Sequence, residues 1–325
     1  MARALVVLVL VVVGLAVLAH RSGTRPALDQ VAIGRRALGI ELRAAMVPVG
    51  DVRLYVVEAG PPDGRPVLLL HGFPEFWWAW NAQMVRLAAA GFRVIVPDQR
   101  GYDVSEKPDG VAAYRTSILT ADVIGLLDAL RIPAVNLAGH DWGGAIAWRV
   151  VLQHPDRVRR LVMFNAPHPW AWKEAAEHPE PGESIAWFRF FFQLPWIPEI
   201  ATRARDWRAL SRSLVDTSRP GTFVDQELDY YKAAWARDGA MSSMVNWYRA
   251  SFRYFEPIAG DGMVQVPTRI VWGMQDRFFE RRMATLSAAH CAVGELITLD
   301  DAGHWLLHEE PEITSRHMID FFGTS

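Results

Sequence analysis

The sequence predicts an α/β fold: a mostly parallel sheet flanked by helices, with a helical lid inserted into it. Three observations point there. Short apolar runs alternate with amphipathic helical stretches, the pattern of a parallel sheet covered on both faces. The alternation stops near residue 167 and resumes near 256, and the interval is helical in period and rich in Trp and Pro. The chain has 325 residues, 51% of them hydrophobic, ample for one large core.

The N-terminus stands apart. Leu5–Ala19 is an apolar run behind Arg3, followed by His20, Arg21 and Arg25. It is slightly shorter than the ~20 residues that span a bilayer. Residues 1–23 are expected to anchor the chain in a membrane. Export after signal cleavage at Val17-Leu18-Ala19 is the alternative. Residues 24–45 read as a linker with a short basic helix.

The remaining elements follow in order. Val52–Glu58 reads as a strand and Pro61-Pro62-Asp63-Gly64 as its turn. Val67–Leu70 is a buried strand ending at His71-Gly72. Gln83–Ala90 is helical and closes at Gly91. Val94–Pro97 is a strand, Thr120–Leu130 a helix, Val135–Ala138 a strand, Ala145–Leu152 a helix and Val158–Asn165 a strand. The lid, 167–255, shows helical period at Ile185–Gln193, Ile200–Leu210, Gln226–Ala236 and Ser242–Phe255. The core then resumes with strand Thr268–Trp272, a helix at Arg281–His290, strand Glu295–Leu299 and a helix from Pro311. The core is therefore 46–166 and 256–325.

Composition removes several functions. A net charge of −2 gives no footprint for nucleic acid. Cys291 is the single cysteine, so an internal disulfide and a Cys-rich metal site are excluded. The chain carries 14 Trp and 15 Phe, which suit a core and equally an apolar ligand cavity.

The chemistry centres on Gly139-His140-Asp141-Trp142-Gly143-Gly144. Here a strand meets a helix with almost no loop. The corner residue is forced into a strained conformation, so its neighbours must be small. This is the corner on which hydrolases of this architecture carry a nucleophile, and the residue there is Asp141. The helix N-terminus favours its negative charge, and a carboxylate needs no base to become nucleophilic. The plain alternative is a helix N-cap.

A carboxylate attacks saturated carbon better than carbonyl carbon. The product is an alkyl ester, which an activated water must then hydrolyse, so a histidine is required. His304, after the last strand in Ala302-Gly303-His304-Trp305, fits. Asp276, in Gly273-Met274-Gln275-Asp276, is placed to hold its tautomer. The other position for the acid, after Val162-Met163-Phe164, holds Asn165. His140 is expected to point away from the cleft. The loop His71-Gly72-Phe73-Pro74-Glu75 can aim the Phe73 N–H at the same point as the Trp142 N–H, forming an oxyanion hole.

Five motifs in order resemble the α/β-hydrolase superfamily, in its epoxide hydrolase branch. They are H-G-F-P-E-F-W-W-A-W (71–80), D-Q-R-G-Y-D-V-S-E-K-P (98–108), G-H-D-W-G-G (139–144), G-M-Q-D (273–276) and G-H-W (303–305). The resemblance covers about 46–325, more loosely in the lid. It implies Asp141 as nucleophile, His304 as base, Asp276 as its orienter and a cis bond before Pro74. It also implies a pair of lid tyrosines that protonate the leaving oxygen. Asn246-Trp247-Tyr248-Arg249 supplies one, Tyr248. The other position falls at Phe188, which cannot donate a proton.

Trp142, Phe188 and His168 are expected to line the substrate site. The implied partners are a small apolar epoxide and water, with the membrane through the N-terminal segment. No metal or organic cofactor is required. A haloalkane dehalogenase-type hydrolase shares the Asp nucleophile and stays open. So does a catalytically silent fold that binds an apolar ligand. Asp98 and Arg100 are expected to pair and brace the loops.

Overall fold

One twisted sheet organises the chain, a computed structural model that describes residues 29–178, 188–258 and 260–324. The described residues give eight strands: β1 (Leu42–Val49), β2 (Val52–Ala59), β3 (Arg65–Leu70), β4 (Phe92–Pro97), β5 (Val135–His140), β6 (Val158–Phe164), β7 (Thr268–Gly273) and β8 (Gly294–Leu299). Their order is β1-β2-β4-β3-β5-β6-β7-β8. β1, β2 and β4 pair antiparallel, and every pair from β4 onward is parallel. Central strands read as continuous apolar runs because helices cover both faces. Val67, Leu68, Leu69 and Leu70 of β3 have no exposure, and β5 is buried along its length.

Among the described residues, four α-helices frame the core before the lid, α1 (Gln30–Leu38), α2 (Asn81–Ala89), α3 (Thr116–Ala129) and α4 (Asp141–Gln153), and α5 (Pro169–Glu177) and α6 (Phe188–Phe191) open the lid. The lid continues with α7 (Ile197–Thr217), α8 (Asp225–Trp235) and α9 (Ala240–Arg253). The core closes with α10 (Arg282–Ala289), α11 (Leu306–Glu309) and α12 (Pro311–Gly323). Trp77, Trp80, Trp148 and Trp272 fill the interior without exposure. Truncating any one of them to alanine costs about 3–5 kcal/mol.

Four expectations need correction. First, the stretch expected as a linker is structured. Asp29 caps α1 through its side chain, and β1 pairs with β2 along its whole length. Its burial alternates too weakly to read as a strand, because it lies at the sheet edge with one face in solvent.

Second, the membrane anchor is withdrawn. Leu5–Ala19 lies outside the described residues, and no described helix is long and apolar enough to cross a membrane. The run also falls short of a bilayer's ~20 residues.

Third, the helix expected at Ile200–Leu210 is broken. Ala204 is extended, and Arg205, Asp206 and Trp207 take φ of 54°, 56° and 62°. The break turns Trp207 into the lid, where its ring lies 6.0 Å from that of Trp235. Of Ile185–Gln193, residues 185–187 lie outside the described residues.

Fourth, Asp98 and Arg100 do not pair. Arg100 binds Asp122 and Asp51, both at 2.6 Å at closest approach. Asp98 instead accepts from the Trp77 N–H at 2.9 Å. Both residues lie past the end of β4, in the loop that follows it, where strand periodicity no longer sets side-chain direction.

Candidate active site

Asp141 sits at the corner between β5 and α4 with φ 49°. A left-handed backbone at an aspartate is uncommon and persists only where the surroundings impose it. Two contacts do so. A Cβ on Gly143 would stand 2.2 Å from the Leu70 carbonyl oxygen. One on Gly72 would stand 2.5 Å from the Asp141 Cβ. Only glycine admits β3, the loop after it and the corner at this distance. The carboxylate thus projects beyond the sheet at the N-terminus of α4.

The Phe73 N–H donates to Asp141 Oδ1 at 2.8 Å. The loop that carries it is fixed from behind. His71 Nδ1 lies 3.0 Å from the Gly72 carbonyl, its Nε2 accepts from the Gln99 N–H at 3.1 Å, and the Gln99 side chain donates to the His71 carbonyl at 2.6 Å. Burial pushes the His71 imidazole down to about 4, which keeps this pattern neutral and singly protonated. The Phe73-Pro74 bond is cis. The Trp142 amide lies in the first turn of α4, where N–H groups have no intrahelical partner.

His304 faces the same carboxylate from the opposite side. Its Nε2 lies 3.8 Å from Asp141 Oδ2, and its Nδ1 lies 2.8 Å from Asp276 Oδ2. The Asp276 side chain is wholly buried and richly solvated by the protein. Its Oδ1 accepts from the amides of Phe278 at 2.7 Å and Phe279 at 3.0 Å, and its Oδ2 from the Asn165 side chain at 2.5 Å. Burial alone would raise this carboxyl, but the His304 charge and these hydrogen bonds outweigh it and hold it below its ordinary value. Asp276 is therefore an acceptor, and the proton between the two lies on His304 Nδ1. His304 shows the reciprocal balance: burial opposes its cation, while Asp276 and then Asp141 raise it above the ordinary imidazole range.

Tyr248, on α9, closes the site from the lid. Its ring meets Phe73 at 5.2 Å, Trp142 at 5.0 Å, Phe188 at 6.0 Å and Phe192 at 4.8 Å. Burial lifts its phenol well above the usual value and the Asp141 charge adds to this. Phe188 also meets Phe278, whose ring lies 4.7 Å from that of His304. The space over Asp141 is thus walled by aromatic rings.

Seven of the sequence-derived residues come together here: Asp141, His304, Asp276, Phe73, Trp142, Tyr248 and Phe188. His168 does not join them. It caps α5, accepting from the Trp170 N–H, and its ring packs on Trp148 and stacks on His290. The proline after it fixes a helix start, and that structural role accounts for its place. None of the other three lid tyrosines takes the place of the one absent at Phe188. Tyr231 donates to Glu75, Tyr230 packs on Trp78, and Tyr254 is 40% exposed.

Sequence reasoning missed the group that backs His304. Glu75 has no exposed side-chain surface, yet it contacts His140 at 3.1 Å, His308 at 2.8 Å and the Tyr231 hydroxyl at 3.0 Å. The other nitrogen of His140 lies 2.9 Å from the His304 carbonyl. His140 does turn away from Asp141, but into this cluster rather than toward solvent. Burial would raise Glu75, and the two histidines more than reverse that, holding it far below the usual carboxylate range. The signal available in the sequence was a charged residue inside an otherwise apolar motif, Phe73-Pro74-Glu75-Phe76.

Residues 65–311 match the family described as alpha/beta hydrolase fold. The AB hydrolase superfamily protein YfhM of Bacillus subtilis is 39% identical over 280 residues, covering 86% of this chain and 98% of that protein. Epoxide hydrolase 2 of Caenorhabditis elegans is 31% identical over 280 residues, covering 85% of this chain and 78% of that protein. The crystal structure of Bacillus megaterium epoxide hydrolase with an inhibitor aligns at a TM-score of 0.78 and 25% identity, over 87% of this chain and 100% of that one.

Proposed function

Since the chain belongs to the α/β-hydrolase family, in its epoxide hydrolase branch, we propose that it opens an apolar epoxide to a vicinal diol through an aspartyl ester. The observation that carries this reading is a carboxylate at the strained corner, met by a histidine held by a buried acid. Aromatic walls favour an apolar substrate.

The chemistry runs in two steps. Asp141 Oδ1 is engaged by the Phe73 amide, which leaves Oδ2 to attack an oxirane carbon. The C–O electron pair passes to the ring oxygen, and Tyr248 protonates it. A neutral phenol is a suitable donor, since its proton is held until an alkoxide forms. In the second step His304 takes a proton from water, which attacks the carboxyl carbon of the ester. The oxyanion forms on the oxygen that faces Phe73, with the Trp142 amide as second donor. Collapse expels the diol oxygen, which takes its proton from His304.

A single turnover with styrene oxide in heavy-oxygen water, enzyme in excess, tests the reading. Label is expected in the Asp141 carboxylate, with unlabelled diol. Label in the diol alone would mean direct attack by water. Halide release from a haloalkane without any diol would move the assignment to a dehalogenase.

A further inference from the structure

Ring opening leaves charge on oxygen, and the position implied to hold a second phenol carries Phe188. Among the rings that box Tyr248, those of Phe73, Phe188 and Phe192 have no polar hydrogen. Trp142 is the exception. Its indole meets the Tyr248 ring edge-on, 5.0 Å between centroids at 86°. The indole is itself held, its ring 5.7 Å from that of Trp247, whose own N–H donates to the Arg100 carbonyl at 3.0 Å.

We propose that the indole N–H of Trp142 substitutes for the missing second phenol, donating to the Tyr248 oxygen as a positioning residue that acts through it. This rests on the epoxide reading above. An indole N–H can only donate, so it occupies a lone pair on the Tyr248 oxygen. The phenolic proton must then point elsewhere, toward the oxygen released above Asp141. When that proton has moved, the same N–H faces a phenolate, and hydrogen bonds to charged groups are the stronger kind. Protons balance: Tyr248 gives one to the opened oxygen. The proton shed when the regenerated Asp141 carboxyl ionises returns to Tyr248. In the resting protein, burial and Asp141 drive the Tyr248 phenol up, whereas the Trp142 donor and the Arg189 charge oppose them.

The experiment uses the full chain and three variants: W142F, Y248F and W142F/F188Y. Ester formation and ester hydrolysis are timed separately in single turnover with styrene oxide. W142F is expected to slow ester formation about 10- to 100-fold while leaving hydrolysis close to its original rate. Adding F188Y is expected to recover most of that loss, because it restores a phenol. Ester formation at the original rate in W142F, or equal slowing of both steps, overturns the proposal. A second readout needs no turnover. The indole N–H resonance that W142F removes is expected to shift in Y248F. An unmoved resonance in a protein that makes diol overturns the indole proposal alone. No ester and no diol from the unaltered protein overturns the epoxide reading and the donor role with it.

Discussion

The side chain of Asn165 donates to Asp276 Oδ2 at 2.5 Å, while its own oxygen accepts from the Gly273 N–H at 2.7 Å. The residue at the alternative position for the acid thus supports the carboxylate that contacts His304. It also bridges β6 to β7, so the two strand ends and the His304 partner form one rigid unit. Its φ of 37° shows the backbone strain this demands.

Asn165→Ala is expected to lower the rate of ester hydrolysis more than the rate of ester formation. The variant leaves Asp276 one donor short and loosens its hold on His304. A drop of about tenfold or more is expected, in line with loss of one charge-assisted hydrogen bond. Single-turnover kinetics separate the two steps. Equal slowing of both would assign Asn165 to folding alone.

His304→Gln is expected to stop the second step and spare the first. The aspartyl ester should then accumulate, adding the mass of the epoxide to the peptide that contains Asp141. Intact-protein mass spectrometry reads this directly. An unmodified protein after long incubation with a reactive epoxide counts against a covalent route.

The pH dependence should differ between the two states of the enzyme. In the resting protein, Asp276 and Asp141 outweigh burial and raise His304 above 6.5. Its protonated form is therefore favoured, and as pH falls the base is lost before an ordinary imidazole would be. Esterification of Asp141 removes one of the two charges. The value should then drop, which frees the base when it is needed. Imidazole NMR of the resting protein is expected to titrate above 6.5, and the acid limb of ester hydrolysis to lie lower. Coincident values would mean that Asp141 has no influence on His304.

Glu75→Gln is expected to destabilise the fold by about 3–5 kcal/mol, the usual result of removing one partner from a buried ion pair. The pH profile should carry its signature. Glu75 is held below its ordinary 4.5, so its contribution is present above that value and fades as pH falls. His308 is raised above 6.5 by Glu75 and Glu227 against burial. Its contribution is full below that value and fades as pH rises through the raised one. Urea denaturation from pH 4 to 8 should show the largest gap between the two proteins near pH 5–6, and a constant gap would discount the pair.

Much of the core was legible from the chain alone. Strands such as β3 and β5 read directly because they are buried on both faces and hence continuously apolar. Asp141, Asp276 and His304 could be picked as candidates because each stands just after a strand, and their order matches the architecture. The edge strand β1 was not legible, since a half-solvated strand without clear alternation carries little signal. The kink at Arg205–Trp207 was equally hidden. It accompanies a tertiary contact of Trp207 with Trp235, which no local pattern records.

The sequence by itself determined which residues are candidates for the chemistry and where the sheet lies, because strand periodicity and turn chemistry are local properties. Tertiary structure decided the rest. It placed Asn165 on Asp276, packed Glu75 between two histidines behind His304, and sent His168 to a helix cap instead of the substrate site. It also set the indole of Trp142 against Tyr248. These outcomes depend on which distant side chains share a low-dielectric interior, where an unpaired polar group is costly and must find whatever partner the fold brings near.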